Sequence, residues 1–194
     1  MLLTQLAPNL TTDLVVCGLG HSGTSLLTQM LIALGWKRND AHNLFFESKR
    51  FRQLNVALIR ESRRKRRQIE SDTPSDMLAF LGTLERPFIL KDPRFTLVFE
   101  AWITVFRNAG LSPALVLIER DPAAVEKSYR DRGELVDDAP RPQGLSIPEY
   151  IERLTFGYES WPFPKVAIRY EDLVSAGLLV QQQRNMRIQG GIWT

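Results

Sequence analysis

The sequence predicts an α/β fold, a central parallel sheet covered by helices on both faces. Three observations predict it. Short apolar runs alternate with longer helical stretches along the chain, as happens when parallel strands are joined by helical crossovers. A glycine-dense segment sits directly between the first apolar run and the first helical stretch, an arrangement that suits anion binding. Each of the four apolar runs is followed at once by polar residues, and ligands of such sheets bind beyond the carboxyl ends of the strands.

The elements follow in order. Residues 13–17 (DLVVC) form a short, valine-containing run that reads as a buried strand. Gly18 to Gly23 is the glycine-rich turn, and residues 24–34 (TSLLTQMLIAL) form a helix stopped by Gly35. Residues 39–47 read as loop. Residues 51–69 read as a helix with Phe51, Leu54, Leu58 and Ile59 on one face. Thr73-Pro74-Ser75-Asp76 is a helix-start signal ahead of residues 77–84, and Arg86-Pro87 ends that helix. Residues 88–90 are the second strand, and Lys91-Asp92-Pro93-Arg94 is the turn that leaves it. Residues 97–107 are helical and 114–118 (ALVLI) are the third strand. Pro122 opens the next helix, which runs to about Asp131. Residues 132–145 are polar and contain proline, the composition of a mobile loop. Ser146 starts a further helix, with Pro148 in its first turn and Glu149 three residues on. Residues 166–168 are a short fourth strand.

The bulk numbers bound the class. A chain of 194 residues is long enough for one domain with a proper core. We expect a single domain over 1–194, with its core in 13–174 and an atypical tail in 175–194. Apolar residues make up 44% and charged residues 24%, and the net charge is only +3. That charge is too small to mark a nucleic-acid binder. Cys17 is the single cysteine, so no internal disulfide forms. Residues 1–12 lack a basic segment followed by an apolar stretch, and no apolar run approaches the ~20 residues of a membrane span. A soluble, cytoplasmic protein without a signal peptide or membrane span is expected.

Gly18-x-x-x-x-Gly23-Thr24-Ser25 nearly matches the phosphate-loop pattern G-x-x-x-x-G-K-[ST]. The glycines let backbone N–H groups converge on an anion, and the helix start adds favourable partial charge. The lysine of the pattern is replaced by Thr24. Without that lysine a nucleotide kinase or NTPase lacks its clamp on the β- and γ-phosphates. A plain strand-to-helix turn in an unrelated α/β fold is the other reading of the loop taken alone.

Gly18-Leu-Gly-His-Ser-Gly-Thr-Ser-Leu-Leu27 resembles the 5′-phosphosulfate loop of the sulfotransferases that use 3′-phosphoadenosine 5′-phosphosulfate (PAPS). Three further blocks agree in order and spacing. Lys91-Asp-Pro-Arg94 is similar to the K-x-P-R turn of bacterial-type members. Arg120-Asp-Pro with Ser128 eight residues on resembles the 3′-phosphate motif. Arg169-Tyr-Glu-Asp-Leu173 resembles the R-Y-E-D-L block after the last core strand. The resemblance covers residues 13–174 and implies a three-layer P-loop NTPase-like fold. It also implies sulfuryl transfer from PAPS to a hydroxyl or amine, with no metal. The acceptor is a small molecule, lipid or carbohydrate, not nucleic acid.

The resemblance assigns roles residue by residue. Gly20, His21, Ser22, Gly23, Thr24 and Ser25 would cradle the 5′-phosphosulfate, with Arg94 beside them. Arg120 and Ser128 would grip the 3′-phosphate through forked N–H donors and a hydroxyl. Catalysis would rest on Lys91 and His21 beside the bridging oxygen, with Glu47 as base toward the acceptor. His21 stands where the family usually has arginine or lysine, and Pro93 stands where animal cytosolic members carry a histidine base. Alternatives remain at this stage. Glu47 is equally a cap of the following helix; Asp92 is a second candidate base or a turn-stabilising acid, and His42 a third. Arg120 is alternatively paired with Asp121 or Asp131, and His21 is alternatively a turn residue. Glu171 and Asp172 read as acids that hold the core loops. The run Arg60, Arg63, Arg64, Lys65, Arg66, Arg67 reads as a solvated helix face. Trp36, Trp102, Trp161 and Trp193 read as packing residues. A non-catalytic protein that keeps the nucleotide pocket is a further reading.

Overall fold

The computed structural model describes residues 12–41, 46–64, 73–131 and 145–175. Four strands form one sheet: β1 (Leu14–Gly18), β2 (Ile89–Lys91), β3 (Ala114–Glu119) and β4 (Lys165–Arg169). Their order across the sheet is β2-β1-β3-β4, and every pairing is parallel. The fold is therefore α/β with a central all-parallel sheet flanked by helices.

The sheet is covered on both faces because alternate residues of each strand point to opposite sides. Leu14, Val16, Ile89, Val116, Ile118 and Ile168 line one face. They pack with Leu27 and Leu31 of helix α1 (Thr24–Ala33) and with Leu173 in the helical segment 170–175. Val15, Cys17, Leu90, Leu115 and Leu117 line the other. Helices α2 (Lys49–Arg64), α3 (Thr73–Gly82), α4 (Phe99–Asn108), α5 (Pro122–Asp131) and α6 (Ile147–Ser160) contribute side chains there. Burial pushes the Cys17 thiol far above its usual range, so it stays a neutral packing group.

The four strands and the described parts of the helices lie within a few residues of where the sequence puts them; residues 65–69 of the helix expected over 51–69 lie outside the described residues. One difference is the turn after β2. Residues 97–107 read as one helix, whereas a 3-10 helix (Pro93–Leu97) comes first and α4 begins at Phe99. The Asp92 side chain caps that short helix by accepting from the Arg94 N–H, and Pro93 supplies a preset φ in its first turn. At α6, Ser146 and Glu149 form a capping box, the reciprocal bonds their spacing predicts. The expected loop falls mostly on 132–144 and the expected tail mostly on 176–194, outside the described residues. Residues 65–67 of the basic run and Trp193 do so as well; Arg60 is exposed on α2. The remaining tryptophans are core residues whose indole N–H groups reach the Thr12 carbonyl, the Asn55 side chain and the Pro113 carbonyl. No helix among the described residues is long and apolar enough to cross a membrane.

Candidate functional site

Parallel pairing brings the strand ends to one edge. The register sets Val16 beside Lys91, Gly18 beside Ile118, and Glu119 beside Arg169. The glycine loop, Lys91, Arg120 and Tyr170 therefore emerge together.

The loop is bent by two left-handed residues, His21 (φ 63) and Gly23 (φ 95), the second of which is the N-cap of α1. The first intrahelical bond runs from the Leu27 N–H to the Gly23 carbonyl, at 3.1 Å. The amides ahead of it have no acceptor within the helix. No side chain caps this end, and the first turn contains no acid. These amides thus give the loop a positive helix start beside the strand ends. The side chains behave differently from the backbone. Ser22 and Thr24 are buried, and the Ser22 N–H is spent on the Leu19 carbonyl at 3.1 Å. Gly20, His21, Gly23 and Ser25 are half-buried. The Thr24 side chain is turned inward, and Ser22 offers no free amide.

Two tyrosines support the loop from below. A Cβ added at Gly20 would lie 2.0 Å from the Tyr129 hydroxyl, and one added at Gly23 would lie 2.5 Å from the Tyr170 ring. Tyr129 also meets the His21 ring edge-to-face at 4.2 Å. The glycines are needed for this close approach as well as for backbone bending.

Arg120 leaves β3 and turns toward the loop. Its NH1 donates to the His21 carbonyl, and its guanidinium lies 4.2 Å over the Tyr170 ring. Neither acid set against it in the sequence is its partner. Asp121 accepts from the Ala123 N–H, and Asp131 pairs with Lys127. Ser128 is half-buried on α5 and forms no hydrogen bond with Arg120. The reason is geometric: Arg120 is drawn across the strand ends to the loop rather than along α5.

At the other side of the loop, Lys91 Nζ lies 3.3 Å from Ser25 Oγ and 3.3 Å from Glu47 Oε1. Lys91 is only 4% exposed and Glu47 12%. Burial pulls the Lys91 ammonium below the usual lysine range, and Glu47 opposes that pull. Arg94 NH1 lies 3.8 Å from Glu47 Oε2 and 2.7 Å from Asp92 Oδ1. Ser48 caps α2, accepting from the Phe51 N–H at 3.1 Å, while Asp40 takes the Arg50 N–H at 2.9 Å. Asp92 is fully buried and holds the turn by accepting the Arg94 N–H at 3.0 Å. His42 lies outside the described residues. Glu171 and Asp172 are exposed, and among the described residues the Glu171 carboxylate faces Arg169 at 3.9 Å, a surface pair rather than one within the core loops.

The donor set suits a ligand with anionic ends. Helix-start amides, Lys91 and Arg94 supply positive groups on one side of the loop and Arg120 on the other. Ser22 Oγ and Arg120 Nε are buried without a hydrogen-bond partner among the described residues. Two residues of this neighbourhood escape a reading of the sequence. Asn55 donates to Asp92 Oδ2 at 2.9 Å; Tyr129 underlies Gly20. Asn55 has a signal, being a polar residue four after Phe51 and three before Leu58 on the apolar face. Tyr129 has none.

No family model, curated protein or solved structure matches the chain.

Proposed function

We propose that this chain is a P-loop sulfotransferase that takes PAPS as co-substrate and passes its sulfuryl group to a hydroxyl or amine acceptor. The observation that carries the reading is the position of Arg120. Its side chain reaches the glycine loop at His21 from the end of β3, without an acidic partner among the described residues. A loop for one anionic end and an arginine for another thus share one edge of the sheet, as a nucleotide with two separate anionic ends requires.

The bound co-substrate supplies the sulfuryl group; the chain supplies positioning, charge and a place for the proton. Glu47 is the base that takes the acceptor's proton, because Lys91 and Arg94 hold its carboxylate beside the loop. Lys91 stands at Ser25, where its ammonium offsets negative charge gathering at the loop. The Thr24 backbone and the helix start add dipoles that need no reorganisation. His21 contributes its backbone, with its ring packed on Tyr129. Arg120 takes the 3′-phosphate with its remaining donors.

Calorimetry tests the reading. The desulfated product, 3′-phosphoadenosine 5′-phosphate, is expected to bind without magnesium and ahead of ATP. Binding of ATP that requires magnesium, with no response to the bisphosphate, overturns the proposal in favour of a nucleotide kinase or NTPase. Bisphosphate binding without transfer to any of a broad acceptor panel favours a non-catalytic nucleotide-binding relative.

A further inference from the structure

We infer that Asn55 is a positioning residue, which fixes Asp92 as the buried anion that holds Arg94 beside Glu47. The inference rests on the reading of Glu47 and Lys91 as the reacting end of the site.

Asn55 is fully buried on the packed face of α2, beside Phe51 and Leu54. An apolar residue would fill this place without needing hydrogen-bond partners. Asn55 instead has two, and their chemistry fixes which way its amide faces. The Trp102 indole can only donate, so it meets Asn55 Oδ1, at 2.7 Å. That leaves the amide nitrogen to face Asp92, where it donates to Oδ2 at 2.9 Å. The other Asp92 oxygen, Oδ1, accepts from the Arg94 N–H at 3.0 Å and from Arg94 NH1 at 2.7 Å. The same NH1 lies 3.8 Å from Glu47 Oε2. A continuous line of contacts therefore runs from a core tryptophan on α4, through Asn55, Asp92 and Arg94, to the Glu47 carboxylate.

The line has a direction. Burial pushes the Asp92 carboxyl above the usual carboxylate range, with Glu47 adding to that push; Arg94 and the Asn55 amide oppose it and favour the ionised form. The titratable groups around it are Arg94 on its own turn, Lys91 on β2, Glu47 ahead of α2 and Tyr150 on α6. Tyr150 has its hydroxyl on the Pro93 carbonyl, and burial keeps it neutral, so it gives Asp92 no charge. Without the Asn55 donor, Asp92 takes up a proton more readily. A protonated Asp92 no longer anchors the guanidinium, and Glu47 loses the second of its cations.

The test reads Asp92 directly, by carbon NMR of the full chain with side-chain carboxyl-labelled aspartate. The Asp92 signal is assigned by its disappearance in Asp92→Asn. Asn55→Leu is expected to raise the Asp92 titration midpoint by roughly one pH unit or more, since a buried carboxylate loses a hydrogen bond to its charged form. Trp102→Phe, which frees the amide to turn, is expected to raise it by less. If Asn55→Leu does not fold, Trp102→Phe decides. A midpoint that stays at the wild-type value in the folded variant overturns the inference, because packing alone would leave Asp92 unmoved. Wild-type binding of 3′-phosphoadenosine 5′-phosphate is measured alongside. A shifted Asp92 in a protein that ignores the bisphosphate upholds Asn55 and removes the sulfotransferase reading. An unmoved Asp92 in a protein that binds it does the reverse.

Discussion

Lys91 is an ammonium group 4% exposed at the end of a strand, a placement that burial alone would make unfavourable. Glu47 at 3.3 Å is the anion that makes it tolerable, and the two side chains hold each other at the loop. A carboxylate so placed has one cation on each oxygen, Lys91 on Oε1 and Arg94 on Oε2. Glu47→Gln keeps the shape of the side chain and removes the proton acceptor. Turnover of PAPS with an accepted hydroxyl substrate is expected to fall by about 10²–10⁴-fold, the span of general-base contributions. Affinity for the bisphosphate, measured by calorimetry, is expected to change far less. Full activity in the variant would eliminate Glu47 as the base.

The glycine loop depends on elements that do not adjoin it in the chain. Tyr129 comes from α5 and Tyr170 follows β4, yet both fill the space that side chains at positions 20 and 23 would take. The steric conflict at Gly20 is local, which makes it separable. The added Cβ would lie 2.0 Å from the Tyr129 oxygen but 3.1 Å from the ring carbon that bears it. Gly20→Ala is expected to destabilise the protein by about 1–3 kcal/mol, the usual cost of overpacking. Tyr129→Phe removes the conflicting atom, so the double variant should recover at least ~0.5 kcal/mol of that loss as coupling energy in chemical denaturation. Strictly additive losses would show that the hydroxyl does not limit the loop. The glycines themselves were legible in the sequence as a phosphate-type turn. Their second reason was not, because nothing in the order of residues states that Tyr129 will lie beneath Gly20. The same holds for Arg120: its place at a strand end is readable, but its turn toward the His21 carbonyl rather than toward Ser128 depends on distances across the sheet.

At the scale of the molecule the sheet was the most legible feature. Each strand is an apolar run ended by polar residues or glycine, and strands buried on both faces need little more to be recognised. The turn at 93–97 was harder, since Asp92 and Pro93 convert what reads as the start of α4 into a separate 3-10 helix. The parallel order β2-β1-β3-β4 then makes the functional argument possible, because it delivers Lys91, the loop, Arg120 and Tyr170 to one edge. If that edge holds one ligand by two anionic ends, its two sides must be separable by ligands of different reach. Arg120→Ala is expected to weaken binding of 3′-phosphoadenosine 5′-phosphate by ~1.5–3 kcal/mol, the worth of a hydrogen bond to a charged group. Adenosine 5′-phosphosulfate, which lacks the 3′-phosphate, should lose less than half as much. Equal losses for both ligands would mean that Arg120 acts through the loop it touches at His21, and an unchanged bisphosphate affinity would remove it from the site.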